Sequence, residues 1–229
     1  MKKKGIIVLG MLLITAYFQG CKSHPEQGLL QRYFNAISLN DVTTMSTMAV
    51  DPIKIDFSSW KIAAVSEEKI VPATLPELNT KEFDFKKQVE QHVGPTLDAK
   101  DTLDVAKDEY TGARSGAARA SAKAKMDAAQ TKYDEEYKLH QDLQRQYNET
   151  KAAASKEEEI TIFSLGAGQV PNVRDLKGNV HSKVLDVDVV QKDGQAKKYQ
   201  ITMMMYRLKD EAANVPYNGR WVITKFETP

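Results

Sequence analysis

The stretch DTLDVAKDEYTGARSGAARASAKAKMDAA, Asp101 to Ala129, decides how this chain is organised. Either side of Thr111–Gly116 (TGARSG) it is dense in Ala, Lys, Asp and Glu and poor in β-branched residues, which is the composition of long helices. Two such helices joined by a short Gly-containing turn form an αα-hairpin, and the composition extends over 81–158. Val89, Thr96, Leu103 and Tyr110 recur at heptad spacing in the first arm, with His92, Ala99 and Ala106 between them. Met126, Tyr133, His140 and Tyr147 do the same in the second, with Ala129 and Leu143 between. This predicts an antiparallel coiled-coil seam. Gly94-Pro95 is expected to kink or restart the first arm. Asp98, Asp101, Asp104 and Asp108 oppose Arg119, Lys123 and Lys125 across the turn, predicting pairs Asp108–Arg119 and Asp104–Lys123. On this reading the basic stretch Arg114–Lys125 neutralises the first arm rather than forming a polyanion-binding tip. At ~1.5 Å per residue the second arm is on the order of 60 Å long.

Outward from the hairpin the periodicity changes. Leu29, Leu30, Tyr33, Phe34 and Ile37 recur at helical spacing, and Asn40-Asp41 breaks them and supplies an N-cap for a short helix over 42–49. Residues 53–71 read as extended, and Pro72 and Pro76 mark an irregular crossing. After the hairpin the period is two. Ile160 and Ile162 flank Thr161, and Leu185, Val187 and Val189 share one face of a strand over 180–190. Asp193-Gly194 is a hairpin turn, Tyr199, Ile201, Met203 and Met205 continue the partner strand, and a final strand follows Asn218-Gly219. Helices first and an antiparallel sheet last predict an α+β domain over 28–80 and 159–229, interrupted by the hairpin.

Two stretches carry a family resemblance. LLQRYFNAISLNDVTTMSTM (Leu29–Met48) resembles the opening helices of the nuclear-transport-factor-2-like superfamily, and GRWVITKFE (Gly219–Glu227) resembles its last strand. The resemblance implies helices packed on a curved antiparallel sheet, a cone-like fold, with the hairpin as an added insertion. Enzymes of that superfamily use Asp, His or Tyr inside the cone; no such set maps onto this sequence, so no catalytic residues are carried over.

Met1-Lys2-Lys3-Lys4 followed by the apolar run Gly5–Phe18 describes a signal peptide over 1–20. Gln19-Gly20-Cys21-Lys22 resembles the lipobox of bacterial lipoproteins, with Gly20 as the small residue before the cysteine and Phe18 where Leu is usual. The resemblance implies cleavage before Cys21 and its lipidation. By the same resemblance Lys22 points to the periplasmic face of the outer membrane rather than the inner membrane. Residues 21–27 then form a short tether that keeps the folded part near the bilayer. Cys21 is the only cysteine, so no intramolecular disulfide is available.

Other chemistry is sparse. Without the three leader lysines the formal charge falls from +1 to −2, and nothing in it points to nucleic acid, which demands a strongly basic face. His24, His92, His140 and His181 show no HExxH-type spacing, so no metal is expected. GxSxG and P-loop signatures are absent, Gly166-Ala167-Gly168 precedes no helix, and no cofactor is expected. Asp186 and Asp188 form a paired-carboxylate candidate on one strand face, read instead as a solvated outer face. Met203, Met204, Met205 and Tyr206 are read as core rather than cavity lining. The sequence therefore predicts a non-catalytic, lipid-anchored envelope protein whose hairpin meets a protein partner. The alternative is a small-molecule binder or enzyme using the cone pocket.

Overall fold

A computed structural model describes residues 25–166 and 170–228. The leader, Cys21 and His24 lie outside the described residues, as do 167–169 of the glycine-containing loop. Among the described residues no helix is long and apolar enough to cross a membrane.

The elements run α1 (Pro25–Ser38), α2 (Val42–Ser46), β1 (Phe57–Val65), β2 (Lys69–Pro72), α3 (Leu75–Gly112), α4 (Gly116–Leu165), a 3-10 turn (Val173–Asp175), β3 (Lys177–Gln191), β4 (Ala196–Asp210), β5 (Val215–Asn218) and β6 (Val222–Glu227). The fold is α+β: helices on a curled antiparallel sheet, with α3 and α4 packed as a long hairpin. Helix α1 already includes Pro25, Glu26 and Gln27, inside the segment read as tether. Asn40 in the left-handed region (φ 57°) closes it, and Asp41 Oδ1 accepts the Thr44 N–H at 3.0 Å to start α2, as expected.

Strands β3 and β4 pair over their whole length and form the middle of the sheet. β1 and β2 lie in succession along the outer edge of β3, and β5 and β6 along that of β4. Bulges between Ile62 and Ala64 and between Thr202 and Met203 bend the strands and curl the sheet. The concave face takes α1: Leu30, Tyr33 and Phe34 pack on Leu185, Val187, Ile201 and Met203, all fully buried. Phe34 stacks on Trp60 at 4.4 Å and meets Phe57 edge-on at 5.2 Å. Tyr33 sends its hydroxyl to accept the Ile53 N–H at 3.0 Å.

Three expectations need correction. Ile160–Ile162 is helical, not strand. Ile160, Thr161 and Ser164 are buried at helical spacing, and Thr161 Oγ1 donates to the Glu157 carbonyl at 2.7 Å, so docking on the sheet overrides a β-branched alternation. Helix α4 accordingly runs seven residues past 158, to a Gly166 left-handed cap. Helix α3 starts at Leu75 rather than 81 and passes through Gly94-Pro95 unbroken. Both residues are exposed, so the Gln91 carbonyl deprived of its donor faces water, while the seam holds the helix on either side.

The hairpin is thus not a loose insertion. Leu75, Ala154 and Ile160 share a second core with Val173, Leu176, Val180, Tyr206 and Leu208 on the far face of the sheet. Arg174 clamps its base, donating to Glu82 on α3 at 2.7 Å and Glu158 on α4 at 2.8 Å. The Glu158 contact and then that with Glu82 raise the guanidinium pKa above its ordinary value. Arg174→Leu leaves two carboxylates facing one another. Breaking a buried pair costs about 3–5 kcal/mol; here the three groups keep 17 % to 28 % of their side-chain surface, so about 1–3 kcal/mol is expected. Hydrogen exchange should show the loss as faster opening of the helix bases; unchanged protection there would contradict the clamp.

Candidate functional site

The seam predicted from the heptads is present. His92, Ala99, Leu103 and Ala106 of α3 are buried against Ala122, Ala129, Met126 and Tyr133 of α4. Midway along it His92 and His140 meet edge to face at 6.2 Å. His92 Nε2 lies 3.3 Å from Glu136 Oε2 but out of line for a hydrogen bond, so this nitrogen and His140 Nδ1 are buried without hydrogen-bond partners.

The charge register differs from expectation. Asp104 pairs with Lys100 and Lys123 with Asp127, each within its own helix, and Arg119 lies over the Tyr110 ring at 5.0 Å. The pairs Asp108–Arg119 and Asp104–Lys123 therefore do not form. Near the turn an inter-arm ion pair links Lys125 to Glu109 at 2.9 Å. Both residues immediately precede a seam residue, Tyr110 or Met126, the flanking position at which antiparallel helices meet. An i,i+4 partner on the same helix is already positioned, whereas reaching across costs side-chain entropy.

The sheet brings together a group of residues that sequence reasoning missed. His181 and Lys183 share the face of Leu185 and Val187, at the end of β3 that meets the start of α1. His181 Nδ1 is 2.5 Å from Glu68 Oε1. Lys183 Nζ lies 3.4 Å from Glu26 Oε2 and 3.9 Å from Glu68 Oε2, over the Trp221 ring at 5.6 Å. Glu26 is 3 % exposed, and burying an ion there requires the opposing charge. The knot ties the first helix to the β1–β2 loop. Its signal was legible: His181 and Lys183 interrupt an otherwise apolar strand face. The tether reading hid Glu26.

The remaining candidates disperse. Asp188 pairs with Lys61 at 3.4 Å, and Asp186 contacts Gln200 at 3.5 Å, on the face opposite Val187. Met203 and Met205 are buried on the concave side, while Met204 packs on the other. Tyr206 is fully buried and donates its hydroxyl to Glu157 at 2.8 Å. Burial first, and then the Glu157 charge, push its pKa far above the ordinary phenol value, so it stays a donor. Among the described residues no group of three or more His, Cys, Asp or Glu is arranged to hold a metal ion. A cleft of about 440 Å³ lies beside α1, lined by Leu29, Arg32, Met48 and Trp221 among others.

Comparison with protein-family models, curated proteins and solved structures finds no match to this chain.

Proposed function

We propose that this chain is a lipid-anchored bacterial envelope protein whose helical hairpin is an interaction surface, with a scaffolding rather than a catalytic role. The observation that carries the reading is the hairpin's mounting. A 50-residue helix, about 75 Å long at 1.5 Å per residue, is fixed at its base by a shared core and the Arg174 clamp. A rigid arm presents residues far from the domain at little entropic cost to a partner. The anchor reading rests on the lipobox resemblance at Cys21. Because α1 already includes Pro25, few residues separate that cysteine from the folded core, so the arm is the part that reaches away from the bilayer. Leu29–Met48 and Gly219–Glu227 also resemble the nuclear-transport-factor-2-like superfamily, and the curl of the sheet around α1 supports that reading.

The test uses the full chain in cells. Metabolic labelling with an acyl analogue should mark the wild type, and Cys21→Ser should lose both label and membrane association. Removing residues 93–139 behind a short glycine turn keeps both helix bases and should abolish capture of cross-linked partners. Capture undiminished by that deletion would overturn the hairpin reading.

A further inference from the structure

The outer flank of α3 carries a second three-four repeat beside the seam: Phe83, Lys86, Glu90, Val93, Leu97, Lys100, Asp104 and Lys107, all exposed. Phe83, Val93 and Leu97 are 68 %, 43 % and 55 % exposed. A regular apolar-and-charged stripe of this spacing on a free helix flank is coiled-coil packing surface without a partner.

The stripe is complementary to itself. About Pro95, the residues equidistant on either side are Val93 and Leu97, then Glu90 and Lys100, then Lys86 and Asp104, then Phe83 and Lys107. A second copy laid antiparallel across a two-fold axis at Pro95 therefore sets apolar on apolar, acid on base, base on acid, and ring on cation. Symmetry doubles each match. Within one chain Lys86–Glu90 and Lys100–Asp104 are already ion pairs, at 3.9 and 2.7 Å. Pairing two copies would close them into four-charge networks, which hold better than isolated surface pairs.

Helix α4 extends the patch. The Glu109–Lys125 ion pair marks one flank of the hairpin. On the opposite flank Val93 directly follows the seam residue His92, and Tyr137 directly follows Glu136, which contacts His92 across the seam. Because His92 faces His140, Tyr137 stands near the level of Pro95. It is 44 % exposed and stacks on Tyr133 at 5.7 Å. An aromatic at the centre of a polar-rimmed patch is the composition of an interface core.

We infer that the hairpin's partner is a second copy of this chain, docked antiparallel along the Phe83–Lys107 flank of α3 to make a four-helix bundle. The inference deepens the reading of the hairpin as an interaction surface and rests on it. It is tested on the full chain in detergent by sedimentation. Wild type should sediment as a dimer. Lys86→Glu with Lys100→Glu sets like charges opposite one another, as does Glu90→Lys with Asp104→Lys. Each double variant should raise the dimer Kd about tenfold or more. Mixing the two variants restores every cross-copy pair and should recover the dimer. Leu97→Asp should dissociate it, with helical circular dichroism reporting that the hairpin stays folded. A wild type that remains monomeric at its highest soluble concentration overturns the inference, and so does a dimer indifferent to the charge reversals. A monomer that still captures other envelope proteins through its hairpin overturns the self-association alone and leaves the interaction-surface reading standing.

Discussion

Phe34→Ala is expected to cost about 3–5 kcal/mol, toward the upper end of that range. The ring is fully buried and holds α1 against the concave sheet through Trp60, Phe57 and Phe226. Its removal forfeits the transfer energy of the ring and the aromatic pair geometry, and leaves a void among stiff neighbours that collapse poorly. Urea denaturation should show a lower midpoint at an unchanged slope. Phe34→Leu should lose much less. A midpoint unmoved by the alanine change would mean that the α1–sheet packing does not hold the domain together.

Gly178→Ala is the second large effect. Gly178 has φ +150°, and a Cβ there would sit 2.1 Å from the Arg207 carbonyl oxygen and 2.9 Å from Leu208 Cα. Both obstacles are backbone of the paired strand, which cannot move aside as a side chain can. Its carbonyl also accepts the Ala73 N–H at 2.9 Å, tying β3 to the approach to α3. Backbone strain of about 1–3 kcal/mol and overpacking of about the same size give roughly 3 kcal/mol. For a chain of this size that lowers Tm by about 6–12 °C. A calorimetric scan matching wild type would show that the β3–β4 register relaxes there at no cost.

The two positions differ in how they could be read. Phe34 belongs to a 3.6-residue pattern with Leu30 and Ile37, so its burial follows from periodicity. Nothing in VRDLKGNV (Val173–Val180) distinguishes Gly178 from a loop glycine; its constraint is the strand that crosses beside it. The same division runs through the candidate site. The hairpin seam was legible because each arm repeats its own heptad, and His92 and His140 fell on it together. The ion pairs were not, because sequence shows which charges are near the turn but not whether a nearer i,i+4 partner captures each one first. The Glu26–Lys183–Glu68–His181 knot was half legible, since two of its members interrupt an apolar strand face. The other two arrive from α1 and a loop.

What the sequence by itself determined is local and periodic. It set the helical hairpin and its turn, the Asp41 cap, the two long strands and which of their faces is apolar, and the arrangement of charges about Pro95. These follow from residues within a few positions of one another, where spacing alone settles which side chains share a face. Only the tertiary structure decided that Ile160–Ile162 is helix, that Pro95 is tolerated within α3, that Glu26 is buried beside Lys183 and that Arg174 clamps the hairpin to the domain. Each of these depends on burial against, or exposure away from, an element distant in sequence, and that long-range packing free energy outweighs the local preference opposing it.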